Sequence, residues 1–383
     1  MEAKITVIIP IYNMEQYLAE CLESVINQSI YDIEILCIND GSTDKSLQIL
    51  QKYGEQDVRF IIINQENKGV AYSRNLGIQK ATGKYVMFMD PDDRYPASDT
   101  IEKLYKAVEE HGVKIAGGTF SDFDLNGNVN SISDYENDML NGYLFEKNQI
   151  MEYKDYQFDY GYHRFIYNKQ FLIDNNIFFP DLIRFQDPPF MVKALTLAER
   201  FYAITDITYC YRLNHKEIEW NENKVDSLLR GLQMNLQWAW ENKLYDLYDL
   251  IIRRIVIEYK EAIIKQFAIS IPNERLLLAI LGDLKGDEQI RKLMWMVIET
   301  YQKMNVKSRE EVQTEIGRVR ELNVGLQKMH EIISEKNRDI LTIQKKYTEQ
   351  VQHTKLIQES LSYKIGRLIT WIPRKVKILL RNK

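Results

Sequence analysis

Three carboxylates stand close together in the sequence, directly after the apolar run Tyr85–Met89. They are Asp90, Asp92 and Asp93, and Pro91 lies between the first two. Charges of one sign at this spacing repel one another, and a divalent cation relieves the repulsion when it binds among them. Magnesium in proteins commonly combines one or two carboxylates with the phosphates of a substrate. The cluster therefore predicts a metal site for a phosphorylated ligand; the alternative is an exposed acidic turn bent by the proline.

Two other polar clusters follow apolar segments in the same way. Asn39–Ser42 closes one segment, and its Asp40 carboxylate could accept a hydrogen bond from a nucleobase; Asp-Gly-Ser also suits a turn and a helix cap. In the other cluster, Gly69 permits close approach of a ligand to the backbone, and the positive end of the following helix favours anions. Arg74, one turn into that helix, could reach a diphosphate or form a surface salt bridge.

The elements that must position these clusters alternate between strand and helix patterns. Apolar strand patterns fall at 5–10, 33–38, 60–63 and 85–89, and helical patterns lie between them. Ser42 or Thr43 could cap the second helix, and of Asp40 and Asp44 the second is expected to be the capping residue. Near-continuously apolar strands joined through helices predict a buried parallel sheet in a doubly wound α/β architecture. In such sheets the ligand crevice lies beyond the carboxyl ends of the strands, where the polar clusters are found.

The order of these clusters resembles that of a known enzyme family. The matching segments are Val7–Asn13, Ile38–Asp44, Asn67–Asn75 and Met89–Asp93. Together they resemble glycosyltransferase family 2, which has the GT-A nucleotide-sugar-binding fold, and the resemblance covers about residues 4–215. It implies a doubly wound mixed sheet and a nucleotide site formed by Pro10, Tyr12, Asp40, Arg74 and Asp90. It also implies that Asp92 holds Mg²⁺ or Mn²⁺ on the diphosphate.

The resemblance also indicates a catalytic base. Family members commonly carry a Glu-Asp pair after the second half of the fold, and the corresponding residues here are Gln186 and Asp187. Only Asp187 can then remove the proton of an acceptor hydroxyl; the alternative is that it caps the helix 190–197. The implied reaction is one displacement at the anomeric carbon, which inverts its configuration and needs no enzyme nucleophile. His163 and His215 are weaker candidates, because a single histidine is more often structural.

The rest of the chain has a helical and then a basic character. We predict a GT-A domain at 1–215, a helical accessory segment at 216–300, a coiled-coil helix at 301–361 and a basic amphipathic tail at 362–383. Apolar residues in a seven-residue register indicate the coiled coil and predict a homodimer. The tail has seven basic residues and no acidic one, and its apolar stripe predicts contact with an anionic membrane surface. The alternative is the solvated end of a core or coiled-coil helix.

Composition narrows the class of protein further. The sequence lacks an apolar run of the length that a transmembrane helix needs, about 18 residues, and its three scattered cysteines suit a reducing cytoplasm. We therefore expect a cytoplasmic enzyme at the inner face of the cell membrane. It would transfer a sugar, from UDP by preference, to a glycan or lipid-linked acceptor in cell-surface polysaccharide synthesis, such as capsule. Alternatives are a non-catalytic nucleotide-binding scaffold and a nucleotidyltransferase; one short basic tail gives no reason to predict nucleic acid as a partner.

Overall fold

The computed structural model describes residues 3–124, 144–213, 219–259 and 261–263, together with Lys346. Every strand and helix given below belongs to one compact unit that spans residues 1–287. The predicted coiled coil (apart from Lys346), the basic tail and His215 lie outside the described residues. Within the described part of the chain, no helix is long and apolar enough to cross a membrane.

One mixed β-sheet organises the described chain. Its strands are β1 (Ile5–Ile11), β2 (Ile33–Asp40), β3 (Phe60–Gln65), β4 (Tyr85–Phe88), β5 (Ile115–Phe123), β6 (Gln149–Glu152), β7 (Phe165–Asn168) and β8 (Arg200–Arg212). They lie in the order β3-β2-β1-β4-β7-β5-β8-β6. The neighbouring strands β3, β2, β1 and β4 are parallel to one another, as the apolar runs predicted. Strand β7 is antiparallel to both β4 and β5. The sheet is therefore mixed, as the resemblance to the GT-A fold implied.

Helices cover both faces of the parallel half of the sheet. The described helices are α1 (Leu18–Ile26), α2 (Ser46–Gln56), α3 (Val70–Lys80), α4 (Thr100–His111), α5 (Tyr153–Tyr156), α6 (Lys169–Asp174), α7 (Asp187–Ala198), α8 (Glu222–Glu241) and α9 (Tyr245–Ile257). On one face, Leu22 of α1 and Leu104 of α4 share a buried core with Val7 of β1. On the other face, a Cβ added to Gly77 of α3 would come within 2.4 Å of the Ile8 side chain. The doubly wound arrangement is thus confirmed for this half.

A cluster of aromatic rings lies beside the end of β4. The ring centroid of Phe88 is 5.1 Å from that of Phe179 and 5.5 Å from that of Phe190. Phe179 and Phe190 stack face to face at 4.0 Å, and Tyr162, in a short 3₁₀ helix before β7, meets Phe179 edge-on at 5.4 Å. Full burial of one such ring stabilises the fold by roughly 1.5–3 kcal/mol. The cluster therefore gives the neighbouring polar residues a rigid support.

The helices after β8 support the segment that leads to α7. Helix α8 packs against both α7 and α9. A Cβ added to Gly231 of α8 would come within 2.8 Å of the Phe185 carbonyl oxygen, so the helix and the turn before α7 are in close contact. Asp187, the predicted base, is the first residue of α7. The contact between α8 and the turn before α7 therefore supports the position of Asp187.

Candidate active site

Hydrogen bonds join the turns that follow β1 and β2. Asn13 adopts a left-handed conformation with a φ of 54°, and its side-chain oxygen accepts from the Thr43 N–H at 2.8 Å. In return, the Asn13 N–H donates to the Ser42 hydroxyl at 3.1 Å. Asp44 accepts from the N–H of Ser46, the first residue of α2, at 2.9 Å. The expectation that Ser42 or Thr43 caps α2 is therefore wrong, because both residues bond to the turn after β1. The bond from the Ser46 N–H to Asp44 agrees with the expectation that Asp44 is a capping residue.

The first two predicted nucleotide contacts lie at the carboxyl end of β1. Pro10 is buried within the strand, where it pairs with Ile38 of β2. Tyr12 follows directly after the strand and is 47% exposed. Of these two residues, Tyr12 is the one whose side chain lies open to a ligand in the crevice.

Asp40 holds the turn that precedes α3. One carboxylate oxygen accepts from the Lys68 N–H at 2.8 Å and from the Gln65 side chain at 2.7 Å, and the other accepts from the Gly69 N–H at 2.8 Å. Gly69 needs its freedom here, because its φ is 91°. Asp40 is only 3% exposed. A carboxylate offers about four acceptor sites, so these three bonds leave capacity for the predicted contact with a nucleobase, which stays a prediction.

Arg74 and Asp90 form a buried ion pair. The Arg74 Nη2 atom lies 2.7 Å from the Asp90 Oδ1 atom, and Arg74 is 4% exposed. Its guanidinium lies 4.8 Å from the ring centroid of Tyr162, whose hydroxyl donates to the same Asp90 oxygen at 3.1 Å. Burial alone would raise the pKa of Asp90, but the Arg74 charge holds it below its ordinary value. The alternative of a surface salt bridge for Arg74 is therefore wrong.

The three clustered carboxylates have different surroundings. Asp93 is fully buried and accepts from the Tyr209 hydroxyl at 2.7 Å and from the Arg212 N–H at 2.8 Å. Burial, together with the charges of Asp92 and Asp90, raises the pKa of Asp93 well above its ordinary value. Asp92 is half-buried. The alternative of a simple exposed acidic turn is wrong, because one of its members lies in the interior.

The chemistry of Asp92 fits a divalent cation that is shared with a substrate. Among the residues that the structure describes, no group of three or more histidine, cysteine, aspartate or glutamate side chains could hold a metal ion. Carboxylate oxygen is a ligand that magnesium and manganese prefer. A single protein carboxylate at the rim of the crevice suits a site in which phosphate oxygens supply other ligands.

Asp187 lies at the start of α7, close to the Arg74–Asp90 pair. The residue before it, Gln186, occupies the N-cap position, so the alternative that Asp187 caps the helix is wrong. Burial raises the pKa of Asp187, the positive charges of Arg74 and Arg184 oppose that rise, and the negative charge of Asp90 adds to it. The side chain is half-buried. A carboxylate with a raised pKa thus lies within electrostatic reach of the Arg74 charge, and a pKa shifted towards neutral favours a general base.

The turn before Asp187 contains an unusual backbone conformation. Phe185 has a φ of 63°, in the left-handed region that bulky residues rarely adopt. Its ring is buried and lies 6.1 Å from the ring centroid of Tyr160. Conformations of this kind persist only where the surroundings enforce them, and they are found often at functional sites.

Asn75 connects α3 to the segment that leads to α7. Its side-chain amide donates to the Phe179 carbonyl at 2.8 Å, and its side-chain oxygen accepts from the Phe179 N–H at 2.8 Å. This pair of bonds resembles one rung of a β-ladder. It fixes the helix that carries Arg74 relative to the chain that continues to Asp187.

His163 is an interior residue. It is 8% exposed, and both of its ring nitrogens are buried without a hydrogen-bond partner. Burial lowers the pKa of His163 to about 3, so the ring is neutral under ordinary conditions. It packs edge-on against Tyr209, with 3.7 Å between ring centroids. Packing therefore accounts for His163 without a part in proton transfer.

Sequence reasoning gave no role to several residues that the structure places around the site. They are Glu20, Tyr162, Tyr209 and Arg212. The segment Tyr209–Arg212 follows an apolar strand pattern, as the other polar clusters do, and that signal could have assigned it to the same edge of the sheet. No local pattern distinguishes Tyr162 from the other tyrosines around it.

Comparisons of the sequence identify its relatives. The profile of Glycosyl transferase family 2 matches residues 6–175. Glycosyltransferase GlyG of Streptococcus pneumoniae serotype 4 is 32% identical over 245 residues, which are 62% of this chain and 77% of GlyG. Glycosyltransferase EpsJ of Bacillus subtilis is 31% identical over 211 residues, which are 55% of this chain. The chain spans 61% of the length of EpsJ and 18% of glycosyltransferase GlyA of S. pneumoniae.

A solved structure with the same fold supports this relationship. The crystal structure of S. aureus TarS 1-349 in complex with UDP-GlcNAc matches 78% of this chain and 90% of the TarS chain, with a TM-score of 0.57. The sequences are 22% identical, so this likeness concerns the fold alone. The relatives establish the family, and the described sheet has the GT-A type of architecture that the four motifs implied. The chain therefore belongs to glycosyltransferase family 2.

Proposed function

We propose that this chain is an inverting glycosyltransferase that moves a sugar from a nucleoside-diphosphate sugar to a hydroxyl group of the acceptor. One observation supports this best: Asp187, a half-buried carboxylate with a raised pKa, lies within electrostatic reach of the Arg74–Asp90 pair at the carboxyl edge of the sheet. A proton acceptor and a potential phosphate-binding region are thus next to each other. A scaffold that only binds nucleotides has no use for such a base.

In the proposed reaction, the acceptor hydroxyl attacks the anomeric carbon from the face opposite the leaving diphosphate. Asp187 accepts the hydroxyl proton on a carboxylate oxygen as the new bond forms. Its raised pKa makes it a stronger base than an ordinary aspartate. One displacement inverts the configuration, and the positive charge that develops on the sugar ring resembles that in glycoside hydrolysis.

The leaving group is a nucleoside diphosphate, whose negative charge must be stabilised. We propose that Asp92 holds Mg²⁺ or Mn²⁺, which supplies Lewis-acid stabilisation of the diphosphate when it is bound. Arg74 was expected near the diphosphate or the base, and its bond to Asp90 suggests how it contributes. By neutralising Asp90, it reduces the number of negative charges that an incoming diphosphate meets.

The nucleoside is proposed to lie between the turns after β1 and β2, in contact with Pro10, Tyr12 and Asp40. We favour uridine, because the Asp40 carboxylate can accept from the uracil N3–H. The UDP-GlcNAc in the TarS complex supports the same choice. The acceptor is proposed to be a glycan or lipid-linked sugar in cell-surface polysaccharide synthesis, at the inner face of the cell membrane.

A donor screen tests this proposal. UDP-, GDP- and dTDP-sugars are incubated with the full chain and magnesium or manganese, binding is measured by calorimetry, and the products are separated by chromatography. We expect a UDP-sugar to bind and to be hydrolysed slowly to UDP and free sugar. Absence of binding by all sugar nucleotides would contradict the proposal. Formation of a nucleoside triphosphate and a sugar 1-phosphate when pyrophosphate is added to the sugar nucleotide would favour a nucleotidyltransferase.

The raised pKa of Asp187 predicts the pH dependence of the reaction. The base works only when it is ionised, so a raised pKa moves the loss of activity on acidification to higher pH. The acid limb of kcat/KM is therefore expected to lie above the ordinary aspartate pKa of about 3.9. Steady-state rates measured with circular dichroism at each pH separate titration from unfolding. An acid limb at or below the ordinary value in folded protein would count against Asp187 as the base.

The basic tail is proposed to hold the enzyme on anionic lipid. Each basic residue near such a surface contributes about 1 kcal/mol, and the tail has seven. Deletion of residues 362–383 is expected to release the protein from anionic vesicles and to leave activity on a soluble acceptor intact. Co-sedimentation at low and high salt, with uncharged vesicles as the control, measures this. Equal pelleting of both forms would exclude the tail as the anchor. The predicted homodimer is tested separately, by light scattering on the full chain.

A further inference from the structure

Arg212, the last residue of β8, holds the Asp90–Arg94 segment in place. Its Nε atom donates to the Asp92 carbonyl at 2.8 Å, and its backbone N–H donates to the Asp93 carboxylate at 2.8 Å. Arg212 is only 5% exposed. One residue thus bonds to the Asp92 carbonyl and to the side chain of the adjacent Asp93.

The same guanidinium also reaches α1. Its Nη2 atom forms an ion pair with Glu20 in the first turn of that helix, and its Cζ atom lies 5.0 Å from the ring centroid of Tyr17 at the helix N-cap. Helix α1 follows the turn that contains Tyr12. Arg212 therefore joins the segment of Asp92 to the element that carries one wall of the proposed nucleoside pocket.

Arg94 provides a natural comparison for Arg212. Its Nη1 atom lies 2.9 Å from the Glu20 carboxylate, and its guanidinium packs 4.3 Å from the ring centroid of Phe123. The guanidinium of Arg212 packs on the same ring at 4.4 Å. The two arginines thus share a carboxylate and an aromatic ring, while Arg212 in addition donates to the Asp92 carbonyl.

We propose that Arg212 is a positioning residue for Asp92, which sets the place of a divalent cation relative to the nucleoside pocket. This inference rests on the proposed function. The planar guanidinium has five N–H donors in a fixed geometry, so it can bond to a carbonyl and a carboxylate in different directions at once. A lysine ammonium cannot reproduce this fixed arrangement of donors. An apolar side chain would leave the Asp92 carbonyl without this donor and would remove one of the two arginine–Glu20 ion pairs between the segment and α1.

The test measures nucleotide binding with and without the metal. Isothermal calorimetry of UDP binding is done in magnesium and in EDTA, for the wild type and for Arg212→Met, Arg212→Lys and Arg94→Met. Arg212→Met is expected to weaken UDP binding in magnesium at least tenfold and to leave binding in EDTA unchanged. Arg212→Lys is expected to recover only part of that loss. Arg94→Met, the matched control, keeps the bond to the Asp92 carbonyl and should bind as the wild type does.

The outcomes distinguish this inference from the proposed function. Wild-type affinity that is the same in magnesium and EDTA would overturn the metal site and this inference with it. A metal-dependent wild type with an equally metal-dependent Arg212→Met would overturn the inference alone. Equal loss in magnesium and EDTA would show a merely structural role and would also overturn it. If Arg212→Met does not fold, Arg212→Lys decides, because it keeps the positive charge without the planar donor geometry: a loss confined to magnesium supports the inference, and wild-type binding contradicts it.

Discussion

Replacement of Asp187 by asparagine is expected to lower kcat by about 100- to 10,000-fold, the range that general base catalysis usually contributes. Donor affinity should stay close to that of the wild type. The reason is that asparagine keeps the shape of the side chain at the start of α7 but cannot accept the hydroxyl proton. Steady-state kinetics with a soluble acceptor give kcat, and calorimetry with the donor gives the affinity.

Asp181→Asn provides the control for this variant. Asp181 lies in the same segment before α7 and is exposed. Its replacement by asparagine changes the charge by the same amount. Its activity should be close to that of the wild type. If Asp187→Asn instead loses donor affinity, rate and thermal stability together, Asp187 has a structural part at the helix start and another base must be sought.

Replacement of Asp92 by alanine is expected to abolish transfer and to remove the effect of magnesium on donor binding, while the fold survives. Asp92 is half-buried, so removal of its carboxylate should change the free energy of unfolding by less than about 0.5 kcal/mol. Donor binding by calorimetry with magnesium and with EDTA, and thermal melting, measure the two parts of this prediction.

Asp93→Ala is the matched comparison for Asp92→Ala, because the two residues are adjacent and differ in burial. Loss of the Asp93 carboxylate leaves the Tyr209 hydroxyl and the Arg212 N–H without their acceptor. Each buried group of this kind costs about 1–3 kcal/mol, so this variant should melt earlier than Asp92→Ala. Normal turnover by a folded Asp92→Ala protein would remove Asp92 from the proposed metal site.

The sequence was informative wherever a short pattern determines structure. The run Tyr85–Met89 predicted a buried strand, and the turn residues that follow it predicted a polar cluster at the strand end. Parallel strands bring their carboxyl ends to one edge of a sheet, so the clusters around Asp40 and Asp90 could be assigned to one crevice before any coordinates. The helix that carries Arg74 was also expected, because a regular helical pattern follows Gly69. In the structure, Gly69 has the positive φ that a glycine readily adopts.

The partners of the side chains could not be predicted in the same way. Asp93 bonds to Tyr209 and Arg212, which are 116 and 119 residues away in the sequence. No spacing rule connects strands that far apart, so nothing in the sequence indicated that the Asp93 side chain is buried. The expectation that Ser42 caps α2 failed for a related reason: Ser42 suits a cap by type, but the left-handed Asn13 brings another backbone N–H to it.

The double hydrogen bond between Asn75 and the Phe179 backbone limits how the enzyme can open. Hinge bending that separated α3 from the segment before α7 would break both bonds at once. Groups left unsatisfied in this way cost about 1–3 kcal/mol each where they are buried. The spacing between Arg74 and Asp187 is then already set before a substrate arrives. We therefore expect substrates to enter and products to leave through movement of loops at the rim of the crevice. We do not expect closure of two rigid halves of the protein to limit turnover.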